Sequence, residues 1–418
     1  MWNKVTKQLV ADEKLVVIGV IQEQHAERCR LYKQWRQYEF PIVQDAFTEL
    51  GVAVVPIPIL IDEHGVVMST RLPNPSAGPG AITKLVEQTR EAPKTKAPKL
   101  ASNYRQEQFE KHLKLTTQEN PQEYGWEEAC ALGDAFMNKV LIGKDGIKDK
   151  QTNIRLATMF YNLSLAETPD PKLNGYIYFR LGVAYRMKFD QSQPDEVDHN
   201  DFTMAAGYWS KALEVNPNQY IWRRRIQQYG PRLSKPYPFY DWVEQAQKEI
   251  KARGETPVEL KVALTGSEIA QRSRKFTASP KVTNPDPESK ITLDPKFVKV
   301  HPTAVPQSII AGQAVRVHLS FDLDKAKWNN ESDDMVVWIE PSELGSVSNS
   351  LVTFPNPKEA ESNETRTVEF EFKTNASASS TVTLTGYALY YVCDSETGQC
   401  LYRRQNFSVP VNVNAKSK

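Results

Sequence analysis

The feature that constrains this chain most is the two-residue alternation of apolar side chains in its last third. Val315, Val317, Leu319, Phe321 and Leu323 share one parity, as do Val368, Phe370 and Phe372. Val382, Leu384, Ala388, Tyr390 and Val392 repeat the pattern, and Phe407, Val409, Val411 and Val413 close it. Successive side chains of a strand point to opposite faces. The pattern therefore predicts antiparallel strands with one face in a core and the other in water.

Segments 258–264, 297–300 and 335–339 add to these, giving at least seven strands over 255–418. That count predicts an all-β immunoglobulin-like sandwich. The polar stretch 265–290 reads as an excursion or linker.

The middle of the chain carries a different period. Leu132-Gly133, Ala157, Tyr161 and Pro169 return as Leu181-Gly182, Ala205, Trp209 and Pro217, offset by 48 or 49 residues. Gly or Ala lets two helices approach, an aromatic fills the gap, and Pro ends the second helix. With Tyr178, Tyr185 and Ala212 the second unit resembles the tetratricopeptide pattern. That resemblance implies helical hairpins over 123–250. Family units run about 34 residues, so the polar inserts KDGIKDKQTN and QSQPDEVDHN are expected to lengthen the loops within each pair. The aromatic- and arginine-rich segment that follows has two readings. Arg223, Arg224 and Arg225 either form an anionic-ligand or peptide surface, or are a solvated helix face beside interdomain packing.

Residues 1–90 read β-α-β-α-β-β-α. The run at 16–21 is a continuous apolar strand of the kind buried in a sheet. Helices are expected at 23–38, 47–51 and 81–89, and strands at 41–43, 57–62 and 66–69 with a turn at Gly65. The run VAVVPIPILIDEHGVV resembles the second half of a thioredoxin fold of the redoxin (AhpC/TSA-type) group. By that resemblance Pro56 matches the family's cis-proline and shapes a binding groove. The family's Cys-x-x-Cys is not found here, because the residues before Val16 hold no Cys. Cys29 is a lone helical thiol. Either the unit is a degenerate binding module or its true N-terminus lies upstream of Met1. Glu23 and His25 leave the first strand at its carboxyl end, where α/β folds bind ligands.

The chain has four Cys. Cys393 and Cys400 flank YYVCDSETGQCLY and face each other at the base of a predicted hairpin, close enough to bridge. Only Asp394 and Glu396 stand near them in sequence, and these would raise a thiol pKa. Together with the closing strand FSVPVNV, the segment resembles the amino-terminal domain of the bacterial thiol:disulfide interchange protein DsbD. The resemblance rests on Tyr390, Cys393, Cys400 and Tyr402. It implies a redox pair at Cys393 and Cys400, with Tyr390 and Tyr402 as contact residues.

Several function classes fall away. Net charge is +1, which argues against a nucleic-acid coat. The longest apolar stretch, 51–61, holds two prolines and is far short of the roughly 20 residues a membrane span needs. No metal site is expected, since the chain has no Cys-x-x-Cys and no His pair at i,i+4. No cofactor is expected either, for want of a Gly-rich phosphate loop. No leader is legible in these residues. The compartment is cytoplasmic as read, or the cell envelope if the start lies upstream.

The expected architecture is multidomain. It comprises a truncated α/β thioredoxin-like unit (1–90), a linker (91–122), tetratricopeptide-like helices (123–250) and the β-sandwich (255–418). The expected function is thiol-disulfide exchange or redox-partner binding, with a protein as partner. The alternative is a non-enzymatic scaffold whose Cys pair is purely structural.

Overall fold

A computed structural model describes residues 2–72, 74–88, 124–142, 147–191, 200–233, 239–262, 264, 268–269, 282–294, 296–376 and 381–415. The expected linker at 91–122 lies outside the described residues, as do 265–267 and 270–281. The protein is multidomain, with helices and short strands first and a sheet-rich C-terminal region. Among the described residues no helix is long and apolar enough to cross a membrane.

The N-terminal unit opens with α1 (Trp2–Ala11), whose Val5 and Leu9 pack on Ile82 of α3 (Pro79–Val86). The apolar run at 16–21 forms only a three-residue strand, β1 (Gly19–Ile21). It pairs in parallel with β2 (Ile42–Gln44) across α2 (Ala26–Arg36), and with no other strand among the described residues. This corrects the expected buried strand. With one neighbouring strand among the described residues, Val16, Ile18 and Val20 stay exposed.

The expected helix at 47–51 is a turn. Phe47, 1 % exposed, instead enters the core of the helical region. β3 (Leu60–Ile61) and β4 (Val67–Ser69) form the expected hairpin, with Gly65 at φ 82° in the turn. The Val55–Pro56 peptide bond is cis.

Two alike helix pairs follow, α4 (Trp126–Ile142) with α5 (Ile147–Glu167) and α6 (Asn174–Gln191) with α7 (Asn200–Val215). The repeat has a direct physical meaning. A Cβ built on Gly133 would stand 2.4 Å from the Tyr161 ring, and one on Gly182 would stand 2.3 Å from the Trp209 ring. Only glycine admits each aromatic against the facing helix. The first polar insert is helical from residue 147 on, as the start of α5, and its first three residues lie outside the described residues. Most of the second insert, at 192–199, lies outside the described residues.

Two short helices complete this region, α8 (Tyr220–Tyr229) and α9 (Trp242–Ala252). α9 packs on α2, with Trp35 and Trp242 stacked at 5.8 Å and Val243, Ala246 and Ile250 against Leu31. Val258, Leu260 and Leu264 cover this same cluster. The strand expected at 258–264 is therefore absent from the β region, because the α2–α9 seam takes up its apolar side chains.

The C-terminal region runs β5 (Val298–Val305), β6 (Ser308–Ile310), β7 (Ala314–Leu323), β8 (Ala326–Asn329), β9 (Met335–Ile339) and β10 (Gly345–Val347). It continues with β11 (Leu351–Phe354), β12 (Glu361–Ser362), β13 (Arg366–Thr374), β14 (Val382–Asp394) and β15 (Cys400–Asn414). A four-stranded sheet, β10-β13-β7-β5, faces a seven-stranded one with the path β11-β9-β14-β15-β6, and β8 joins β14 to β12. The alternating apolar residues meet between them, with Val315, Val317, Leu319, Phe370, Phe372 and Val411 among those in the core.

The other face of β7 departs from expectation. Arg316, His318 and Ser320 are buried rather than solvated, because this face docks on the helices. His318 Nε2 meets the Tyr229 carbonyl at 2.8 Å, Thr203 bonds Thr303, and Gln307 donates to the Thr203 carbonyl at 2.7 Å.

Candidate functional site

The predicted sulfur pair forms a disulfide, with S–S 2.00 Å and Cα atoms 3.9 Å apart. Twelve residue pairs of β14 and β15 lead up to it, ending in Cys393 opposite Cys400. One position further, Asp394 N–H donates to the Gln399 carbonyl at 2.9 Å, so the cysteines occupy the close, non-hydrogen-bonded kind of antiparallel pair. Gly398 at φ 71° turns the chain between them.

The two sulfurs differ in access. Cys393 is 5 % exposed, because its strand is sandwiched between β15 and β8. Cys400, on the outer strand of this local ladder, is exposed.

Register identifies neighbours that sequence order hides. Cys393 stands opposite Lys327 on β8. Side chains directly opposite in such a ladder have Cβ atoms roughly 4.5–5.5 Å apart. Lys327 is exposed and ion-paired with Glu361 at 2.8 Å. Asp394, one residue on, has the opposite parity to the cysteines. Its carboxyl is held below the ordinary carboxylate range, chiefly by the Glu396 backbone N–H. The site therefore carries both signs of charge, not only the acidic residues adjacent in sequence.

Tyr402 is 37 % exposed and stacks on Tyr391, ring centroids 4.4 Å apart. These two are paired in register two positions from the cysteines and share their face. Tyr390 has the opposite parity. It is 1 % exposed in the sandwich core, edge-on to Trp328, with its hydroxyl 3.3 Å from Asp294. The structure thus keeps Tyr402 beside the sulfurs, puts Tyr390 in the core, and adds Tyr391 and Lys327. Parity with Cys393 was the signal for Tyr391. Nothing local signals Lys327, which lies 66 positions away.

Pro56 belongs to a separate place. Its loop is tied to the start of α8, where Tyr220 N–H donates to the Ala53 carbonyl at 3.0 Å and Gln219 to the Val52 carbonyl at 3.3 Å. Among the described residues no hydrogen bond joins it to the sulfur hairpin. The remaining cysteines, Cys29 and Cys130, are free thiols. Burial foremost pushes both up, Cys130 to about 11, so neither is a thiolate near neutral pH. No cluster of His, Cys, Asp and Glu fit for a metal occurs among the described residues.

No family model matches the chain, and no curated protein matches it. Among solved structures, the sporulation control protein Spo0M from Bacillus subtilis is similar at TM-score 0.16 and 10% identity, over 29% of this chain and 50% of that one. Neutral ceramidase from Pseudomonas aeruginosa gives TM-score 0.14 and 9% identity over 56% and 31%. An extracellular fragment of EsaA from Streptococcus gallolyticus gives 0.13 and 13% over 77% and 72%. The chain thus spans half the length of the sporulation control protein. At such scores these likenesses bear on neither fold nor function.

Proposed function

We propose that the protein is a thiol-disulfide exchange partner of a bacterial cell envelope, acting through Cys393 and Cys400. On this reading the sandwich is immunoglobulin-like and akin to the DsbD amino-terminal domain, the helix pairs are a tetratricopeptide-like adaptor, and the N-terminal unit is a thioredoxin-like binding module without a Cys-x-x-Cys. The Gly–aromatic repeat supports the assignment of the helix pairs.

The observation that carries the chemistry is the asymmetry of the pair. A partner's thiolate reaches exposed Cys400 Sγ from the side away from Cys393. The S–S bond breaks and Cys393 leaves as a thiolate opposite the Lys327 cation, then takes a proton from solvent. The partner's second thiolate attacks the mixed disulfide and releases Cys400. The partner dithiol ends as a disulfide and the hairpin as a dithiol, with two electrons and two protons moved.

A redox titration of the intact chain by thiol labelling tests this. A shuttling pair equilibrates at a potential above roughly −300 mV. A pair that stays oxidised well below that value is a static crosslink, and the scaffold reading replaces exchange.

A further inference from the structure

A second site lies where the N-terminal unit meets the helices. A cavity of about 320 Å³ opens between the end of β1, the start of α2, the turn at Val55, α8 and residues 239–242. Tyr32, Phe239, Tyr240 and Trp242 supply aromatic wall, and Arg28, Arg224 and Arg225 supply cations. The volume falls at the small end of the range for organic ligands, and an apolar wall with a few grouped polar side chains is their usual setting.

The surrounding carboxylates are already engaged. Glu268 takes Arg28 in a two-pronged pair at 2.6 and 3.2 Å, both side chains 1 % exposed. Glu23 accepts the backbone N–H groups of Gln24 and His25 and the Tyr240 hydroxyl. Asp190 pairs with Arg186 at 2.8 Å through one oxygen, and its other oxygen stands 3.4 Å from His25 Nε2.

Arg225 has no such partner. It is 6 % exposed, and its hydrogen bond goes to the neutral Gln228 side chain at 3.2 Å. No described carboxylate pairs with it. Arg28 Nε, on the same wall, also lacks an acceptor. The local field is positive in a further respect. His25 is held neutral, its imidazole well below the usual range, by burial first and then by Arg28, Arg186 and Arg225.

A buried guanidinium without a counter-ion is costly. Here it lines an open cavity, and the missing negative charge has room there. A guanidinium fork matches a carboxylate, and the aromatic walls suit a flat apolar body. We propose that this cavity binds a small organic carboxylate with an aromatic or branched apolar body, its carboxylate received by Arg225. The assignment is independent of the sulfur chemistry proposed above.

Calorimetric titration of the full chain with benzoate, benzyl alcohol and inorganic phosphate tests it. Benzoate is expected to bind saturably, with the uncharged alcohol and the phosphate each at least tenfold weaker. Arg225→Met is expected to weaken benzoate at least tenfold while leaving the urea midpoint of the ligand-free protein unchanged or higher. Val55→Trp, at a half-exposed wall position, fills the space without touching charge and is expected to abolish binding even if the Arg225 variant fails to fold. Absence of saturable benzoate binding overturns the proposal. So does an Arg225→Met protein that binds normally but is less stable, or phosphate binding as tightly as benzoate.

Discussion

Glu369 ties two strands to a helix through one carboxyl group. It sits on β13 with Arg316 bonded to one oxygen and His318 Nδ1 2.9 Å from the other. His318 Nε2 reaches the Tyr229 carbonyl, so each ring nitrogen faces an oxygen that only accepts. Burial alone would raise the Glu369 pKa, but His318 and then Arg316 hold it down at about 2, against 4.5 unperturbed. A carboxylate depressed in the folded state stabilises above its unfolded pKa and loses that contribution as pH falls through the folded one. Urea unfolding should therefore show a loss on the order of 3 kcal/mol between pH 5 and pH 2 from this group. Glu369→Gln should be less stable at neutral pH and should flatten that stretch of the profile. A variant profile parallel to the parent's would remove Glu369 from the account.

Among the elements, the helix pairs make the sharpest claim. Gly182→Ala forces a methyl to within 2.3 Å of the Trp209 ring and should cost about 1–3 kcal/mol in chemical denaturation. Gly80→Ala, in α3 with nothing within 4 Å of the new Cβ, should cost nothing and serves as the comparison. This contact was legible because the glycine and its aromatic belong to adjacent helices and recur at one spacing. The alternation of β7, β13, β14 and β15 was legible for a similar reason, since period two is a local signal. What lay outside reach were choices of partner. Nothing near Trp242 shows that its helix leaves the helical pairs for α2, about 200 positions back. The polar parity of β7 reads as solvent-facing until α7 and α8 cover His318. The cavity draws its walls from positions 21–32, 55 and 220–242, which no local pattern joins. The arginine run did mark one wall, though only Arg224 and Arg225 face it.

At the scale of the whole molecule, Arg28 and Glu268 join the N-terminal unit to a segment 240 positions away, both ends closed off from water. Removing one member of such a pair strands the other charge in the interior. Glu268→Ala should therefore cost about 3–5 kcal/mol, well beyond a typical surface change. Limited proteolysis should then find the N-terminal unit cut before the β-sandwich. A variant with parent-like stability and digestion would show that the pair is not what holds this joint.

The joint between the sandwich and the helices, lined by Arg316, His318, Thr303 and Glu371, has a different thermal character. Hydrating polar surface lowers heat capacity, whereas hydrating hydrocarbon raises it. Opening this seam offsets part of the curvature contributed by the two oily interiors on either side. Its grip should fade less on chilling than theirs does, so in the cold the halves would loosen internally before they came apart from each other.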